Sequence, residues 1–246
     1  MLEGLRTAAA GMAAQQQKLD AVSNDLANAN TNGYKRVRVG FSDLLYERAG
    51  RPSTSGNAQL GAGSRAIQGG RTFQQGSLRE TGIPTDVAIE GDGFMKVKLS
   101  DGRDALTRDG GLHIDGMRRL TTATGGLLTP TITIPEGVTS SQLSIATDGA
   151  VLAAGRNVGK IALVNVRSPQ NLQSVGENAF VTTARSGNAT AAPAATVLKQ
   201  GALEASNTDM AQAMTDMIEA QRTYQLTSKA IQTADSMMEI ANGVKR

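Results

Sequence analysis

Met210-Ala211-Gln212-Ala213-Met214-Thr215-Asp216-Met217 opens a run in which Met210, Met217, Tyr224, Ile231 and Met238 recur every seven residues. Small residues fall between them: Ala213, Ala220, Thr227, Ala234 and Ala241. A seven-residue apolar repeat marks a helix seam that needs a partner helix. The other end of the chain carries the same pattern. Leu5, Met12, Leu19 and Leu26 repeat at the same interval, with the small Ala9 among them. Two seams at opposite ends predict long terminal helices that return to one another, paired as an antiparallel coiled coil. They point to an assembly of helices rather than a closed enzyme.

The last helix is more apolar than one seam requires. Met214, Ile218, Leu226, Met237 and Ile240 lie off the main row, and a helix apolar on more than one side is buried on more than one side. Each large side chain left in water forgoes roughly 1.5–3 kcal/mol. Five of them represent on the order of 10 kcal/mol, comparable to a domain's whole stability. The bland reading is an ordinary intramolecular core. The sharper one is cover by neighbouring copies of the chain, for which adaptable methionine is suited.

Composition narrows the rest. In 246 residues aromatics make up 3%, Trp is absent and Gly numbers 28. Without aromatic bulk, the core must be aliphatic, or apolar surface must be buried between subunits. The net charge of +3 is too mild to imply nucleic acid. With no cysteine, disulfides, zinc–thiolate sites and Cys nucleophiles are excluded. The opening Met1-Leu2-Glu3-Gly4-Leu5-Arg6 lacks the basic and apolar regions of a cleaved signal peptide. No run approaches the ~18 apolar residues of a membrane span. The expectation is a protein not inserted in a membrane, and cytoplasmic unless exported by a route that needs no cleaved signal.

Along the chain, residues 2–29 read as a helix about 40 Å long, stopped by Asn30-Thr31-Asn32-Gly33, a cluster suited to turn geometry. Residues 49–72, rich in Gly, Ser, Arg and Gln, read as an extended mobile connector. The middle reads as β. Phe94 to Leu99 alternates and meets Asp101-Gly102, a hairpin signal. Asp109-Gly110, Asp115-Gly116 and Asp148-Gly149 repeat that turn chemistry. Short strands are predicted at 105–107, 112–114, 118–121, 132–134, 143–146, 151–153 and 160–166, as an antiparallel meander or small barrel. Residues 185–196 form a second connector. The last helix is predicted to start in Ser206-Asn207-Thr208-Asp209, as a capping box, and to end at Gly243. The resulting fold class is α+β. Residues 1–33 are the first helix, 34–80 a connector, 81–184 the β domain, 185–205 a connector and 206–246 the last helix.

No catalytic, cofactor or metal constellation stands out. The single histidine, His113, sits in a strand beside a turn, and hairpin geometry explains Asp109 and Asp115 without a catalytic role. Gly61-Ala62-Gly63-Ser64-Arg65-Ala66 resembles a dinucleotide fingerprint but lacks the flanking strand and helix that aim one at a pyrophosphate. Asp101, Asp104, Asp109 and Asp115 lack the alternate-residue spacing of a calcium loop. The basic run Lys35-Arg36-Val37-Arg38 reads as a solvated face, without the aromatic platforms that nucleic acid would want.

One segment carries a family resemblance. Asn24-Asp25-Leu26-Ala27-Asn28-Ala29-Asn30-Thr31-Asn32-Gly33-Tyr34-Lys35 resembles the N-terminal signature of the bacterial flagellar rod and hook proteins, in which Asn24, Leu26, Ala27, Asn28, Thr31, Gly33, Tyr34 and Lys35 match. Asp25 stands where that family usually has Asn. Further similarities lie in 86–94 and in Thr107-Arg108-Asp109-Gly110, although Leu106 and Leu112 replace the usual flanking aromatics. Gly201-Ala202-Leu203-Glu204-Ala205-Ser206-Asn207 and the segment 214–224 are also similar. Phe41 to Tyr46 looks most like distal rod members, with proximal rod or hook-type axial proteins as the alternative.

The resemblance implies a subunit exported through the flagellar type III apparatus. Its copies would polymerise helically into a hollow, rigid drive shaft across the periplasm that carries torque to the hook. It implies other rod and hook proteins as partners, and the surrounding bushing rings as a further neighbour. Terminal helices would line the inner tube through Leu5, Met12, Leu19, Leu26, Met210, Met217, Tyr224, Ile231 and Met238. The rival readings are a ligand-binding or enzymatic β domain with helical oligomerisation arms, for which no convergent polar pocket is visible, and a nucleic-acid binder with steep salt dependence.

Overall fold

The computed structural model describes residues 2–44, 47–48, 59–60 and 63–243. Two helices sit at the ends: α1 over Leu2–Ala27 and α2 over Met210–Gly243. Everything regular between them is short strands or single 3-10 turns. The chain divides into two compact units. One contains both helices and the described part of 37–69; the other contains residues 28–36 and 70–208.

In the helical unit α1 and α2 pack on one another, and Lys18 pairs with Glu219 at 3.4 Å. Among the described residues, small ones are the apolar side chains buried there: Ala14, Ala213 and Ala220. The start of α2 is set by Asp209, whose Oδ1 accepts the amides of Ala211 at 2.8 Å and Gln212 at 3.2 Å. The N-cap is therefore the last residue of the predicted Ser206–Asp209 cluster; Asn207 has a different task, given below. Along α2, Thr215, Thr223, Thr227, Thr233 and Ser236 each donate to the carbonyl four residues earlier. Their hydroxyls are satisfied inside the helix, so its surface can be packed against without stranding them. Val37–Asp43 pairs with Ser64–Arg71 as a two-stranded ribbon in which most residues are half-buried or exposed. Ser64–Arg71 falls inside the predicted connector 49–72; a ribbon wet on both faces shows no apolar alternation to reveal it. Residues 49–58, 61 and 62 of that connector, and with them the first two residues of the dinucleotide-like stretch, lie outside the described residues.

The β unit is built from antiparallel pairs. Its largest sheet runs in the order Gln173–Gly176, Ala179–Val181, Asp104–Thr107, Phe94–Lys98, Leu127–Leu128, Leu120–Thr122, Leu112–Ile114; Leu163–Asn165 also pairs with Phe94–Lys98 and carries Thr190–Ala191. The sheet is open, since its two end strands do not pair. The expected barrel-like closure is therefore absent. Smaller units complete the body: Leu143–Ile145, Ala150–Ala153 and Arg156–Lys160 in one sheet, Val87–Glu90 with Val197–Gln200, and Leu78–Glu80 with Ala202–Glu204. With strands of two to five residues, the chain turns onto a new sheet before any one of them can coil round on itself.

Three of the four Asp-Gly pairs singled out above turn hairpins, at 101–102, 115–116 and 148–149. The fourth does not. At Gly110 the carbonyl accepts the Val87 amide at 3.0 Å, and a Cβ would stand 1.6 Å from Val87 O. Glycine is there so that two backbones can meet. Residues 132–134 are not in a ladder, but Leu120 and Arg118 bracket them through Leu120 N to Ile132 O and Ile134 N to Arg118 O.

The main core is aliphatic, as the composition requires: Val87, Ile89, Leu112, Leu120, Ile132 and Val151 are among its fully buried members. Three of the four phenylalanines gather elsewhere. Phe73 meets Phe94 and Phe180 edge-on at 5.3 and 5.2 Å between centroids, a favoured quadrupole geometry. That aromatic cluster adjoins the region described next.

Candidate functional site

Within the β unit, segments far apart in sequence converge on one carboxylate. Glu204 is fully buried on the strand Ala202–Glu204. Its Oε1 accepts from Lys35 Nζ at 2.5 Å, from the Gly76 amide at 2.8 Å and from Arg108 Nη1 at 3.2 Å; Oε2 accepts from Arg108 Nη1 at 3.1 Å. Lys35 also donates to Gln74 O at 2.7 Å. Arg108 donates to Gly93 O through Nε and to Gly91 O through Nη2, with its guanidinium 5.5 Å from the centre of the Phe94 ring. Both cations are buried as well.

Lys35 is thus no part of a solvated basic face. Arg36 and Arg38 are exposed, but the lysine between the signature turn and this run points inward. A buried charge is tolerated only when paired and hydrogen-bonded, and here two cations share one carboxylate. Burial pushes the Lys35 ammonium below its ordinary value, with Glu204 opposing and Arg108 adding to the shift.

The backbone repeats the connection. The Gly33 amide donates to Glu204 O at 2.8 Å, the Asn207 amide to Tyr34 O at 3.4 Å, and the Arg36 amide to Asn207 Oδ1 at 2.9 Å. Asn207 Nδ2 donates in turn to Thr72 O and Gln74 O. Tyr34 is buried, and Arg71, 5.0 Å from its ring, donates to Lys35 O. Asn178 Nδ2 donates to Asn32 O. The segment leaving α1 is therefore bound to the segment entering α2.

Gly33 makes the turn with φ +67°, and a Cβ would sit 2.8 Å from Asp109 N and 2.9 Å from Arg108 C. Both obstacles are backbone. Gly33→Ala should therefore lose about 2–4 kcal/mol, from the left-handed conformation and the close approach together; urea unfolding of the full chain checks this.

The signature residues divide by role. Gly33, Tyr34 and Lys35 are buried, Asn28 and Thr31 are half-buried and bonded to each other, Leu26 is half-buried, and Asn24 and Ala27 are on the outside of α1. In the helical unit Asp25 is buried and accepts the Val37 amide at 3.1 Å. The Val37 amide needs an acceptor oxygen, which Asp and Asn both carry.

The seam residues behave differently. Leu5, Met12, Leu19, Leu26, Met217, Ile231 and Met238 are half-buried, while Met210 and Tyr224 are exposed. None of the nine is fully covered within the chain. The five apolar residues off the row are barer still, with Met214 49%, Ile218 51%, Leu226 72%, Met237 52% and Ile240 67% exposed.

His113 is exposed on its strand, and among the described residues no cluster of three or more His, Asp or Glu side chains forms a metal site. No helix among them is long and apolar enough to cross a membrane. Asp109 is the unusual acid. Burial raises its pKa, and Asp86 adds to this, against the Gly111 amide and His113. A raised folded-state pKa gives stability that is present below the unfolded value and lost as pH rises through the folded one. Asp109→Asn keeps the acceptor for Gly111. It should be more stable than the wild type at pH 7 and equal to it near pH 3, by urea unfolding at both.

Sequence reasoning missed Arg108, Glu204 and Asn207 as partners of the signature. The available signal was a charged residue in apolar company, Ala202-Leu203-Glu204-Ala205, facing a basic one after a glycine turn, Gly33-Tyr34-Lys35.

Comparisons with known proteins match these same segments. The family described as flagella basal body rod protein matches residues 5–35, the flagellar hook protein FlgE/F/G D1 domain matches 88–153, and the flagellar basal body rod FlgEFG protein C-terminal family matches 199–244. Over its full length the chain is 42% identical to the flagellar basal-body rod protein FlgG of Borreliella burgdorferi, covering all of both chains. It is 40% identical to that of Caulobacter vibrioides, over 99% of this chain and all of the relative. It is 33% identical to that of Bacillus subtilis, over all of both.

Proposed function

We propose a mode of assembly for this chain, which belongs to the flagellar basal-body rod protein family and is a structural subunit of that rod, not an enzyme. Copies stack head to tail into a hollow helical polymer, the distal segment of the rod. The terminal helices α1 and α2 pair as an antiparallel coiled coil and line the inner tube. The β unit, residues 28–36 and 70–208, forms the outer layer. Basal-body membership implies assembly with other rod and hook proteins.

The observation that carries the proposal is the bare apolar surface of α2. Five large side chains on one helix of a single chain are 49–72% exposed. Left wet, each forgoes roughly 1.5–3 kcal/mol. A contact between this face and a different face of the next copy does not close on itself, and open contacts of that kind build filaments. Antiparallel pairing of the helices is supported by equal spacing from the joint. Lys18 lies nine residues before Ala27, and Glu219 nine residues after Met210, and these two side chains meet.

Travel through the flagellar export apparatus, a position across the periplasm and contact with the bushing rings belong to the same proposal. So does the assignment of Leu5, Met12, Leu19, Leu26, Met210, Met217, Tyr224, Ile231 and Met238 to the tube interface. Negative-stain microscopy of the concentrated full chain tests it. Rods or tubes are expected; discrete particles at every concentration would defeat it.

A further inference from the structure

The outer face of α2 is rich in thioethers. Met210 and Met214 stand one turn apart and about half exposed, continuous with Ile218; Met237 is equally exposed near Ile240 at the other end. Met217 and Met238 are half-buried, and Met95 is sealed in the β core. The chain has no cysteine to intercept an oxidant first. Oxidation turns a soft apolar thioether into a polar sulfoxide.

We propose that Met210 and Met214 at one end of α2, and Met237 at the other, are oxidation sites that gate assembly, with hydrogen peroxide as the reagent. The methionine sulfur gives an electron pair to one peroxide oxygen, the O–O bond breaks and a sulfur–oxygen bond forms. The other oxygen leaves as water with both protons. Sulfur is oxidised by two electrons and the peroxide is reduced by two. In the free chain these side chains face water, so the sulfoxides leave the helix and its cap undisturbed. In a contact with a second copy, each sulfoxide oxygen must shed its water without a donor to replace it. The free subunit is therefore the sensitive form and the assembled one the protected form. The inference rests on the assembly proposed above and adds a chemical control to it.

The test treats the purified full chain with hydrogen peroxide, locates sulfoxides by peptide mass, and measures the concentration at which sedimenting polymer first forms. Oxidation at Met210, Met214 and Met237, an unchanged circular dichroism spectrum and a rise of tenfold or more in that concentration are expected. Methionine sulfoxide reductases should reverse the rise. The triple variant Met210→Leu, Met214→Leu, Met237→Leu should assemble normally after treatment. Met117→Leu, at an exposed methionine outside α2, should stay as sensitive as the wild type. Unaltered assembly of oxidised wild type, or equal sensitivity of the triple variant, would overturn the proposal while leaving assembly itself intact. An untreated chain that never polymerises would overturn both.

Discussion

Glu204→Gln should lower folding stability by about 3–5 kcal/mol, the usual loss when a buried ion pair is broken from one side. The amide leaves Lys35 and Arg108 buried together with no counter-charge. Lys35→Met is the revealing comparison. It leaves Arg108 and Glu204 as a balanced pair, and removes a cation whose burial is unfavourable. It should cost less, about 1–3 kcal/mol. Urea unfolding of the full chain measures both, and a Lys35→Met loss equal to or above that of Glu204→Gln contradicts the charge balance drawn here. The pH dependence has a fixed sign. Between the depressed folded value of Lys35 and its ordinary 10.5, the unfolded chain binds the extra proton. Stability from this group therefore rises with pH through that window, and Lys35→Met should flatten the rise.

The second large effect concerns association. Leu226→Ser with Ile240→Ser removes two of the barest apolar side chains on α2. If each is buried against another copy, the pair contributes roughly 3–6 kcal/mol per contact. At 1.4 kcal/mol per factor of ten, the concentration for polymer formation should rise by about 10²–10⁴-fold. The melting temperature of the free chain should hardly change, because both residues already face water. A variant that melts early but polymerises normally would mean that these residues serve the subunit's own core.

What the sequence revealed and what it hid follow from the range of the interactions. The helices were legible because a seven-residue apolar period is local information, and Leu5 to Leu26 and Met210 to Met238 carry it over several turns. Hairpins were legible at Asp101-Gly102, Asp115-Gly116 and Asp148-Gly149, where turn chemistry and strand alternation coincide. Asp109-Gly110 has the same letters, but its glycine serves a contact with Val87 that no local pattern encodes. The ribbon strand Ser64–Arg71 was hidden by its polar composition. The sequence left an antiparallel meander and a small barrel both open, because strand order and closure depend on pairings between distant segments.

The site shows the same limit. The motif ending in Gly33-Tyr34-Lys35 could be recognised, yet its destination could not. Lys35 resembles its exposed neighbours Arg36 and Arg38, and partners distant in sequence distinguish it: Gln74 and, 169 residues on, Glu204. Each matching segment at 24–35, 86–94, 107–110 and 201–207 sends residues to this one region, so four motifs that are separate in sequence serve a single structural purpose. They fix the segment leaving α1 to the segment entering α2.

The most direct test of the central claim, that sister copies shelter the outer face of α2, is carbene footprinting of the full chain below and above the concentration at which polymer forms. Labelling of Met214, Ile218, Leu226, Met237 and Ile240 should be strong in the dilute chain and fall at least tenfold in the polymer. Equal labelling of these five side chains in both states would contradict the account.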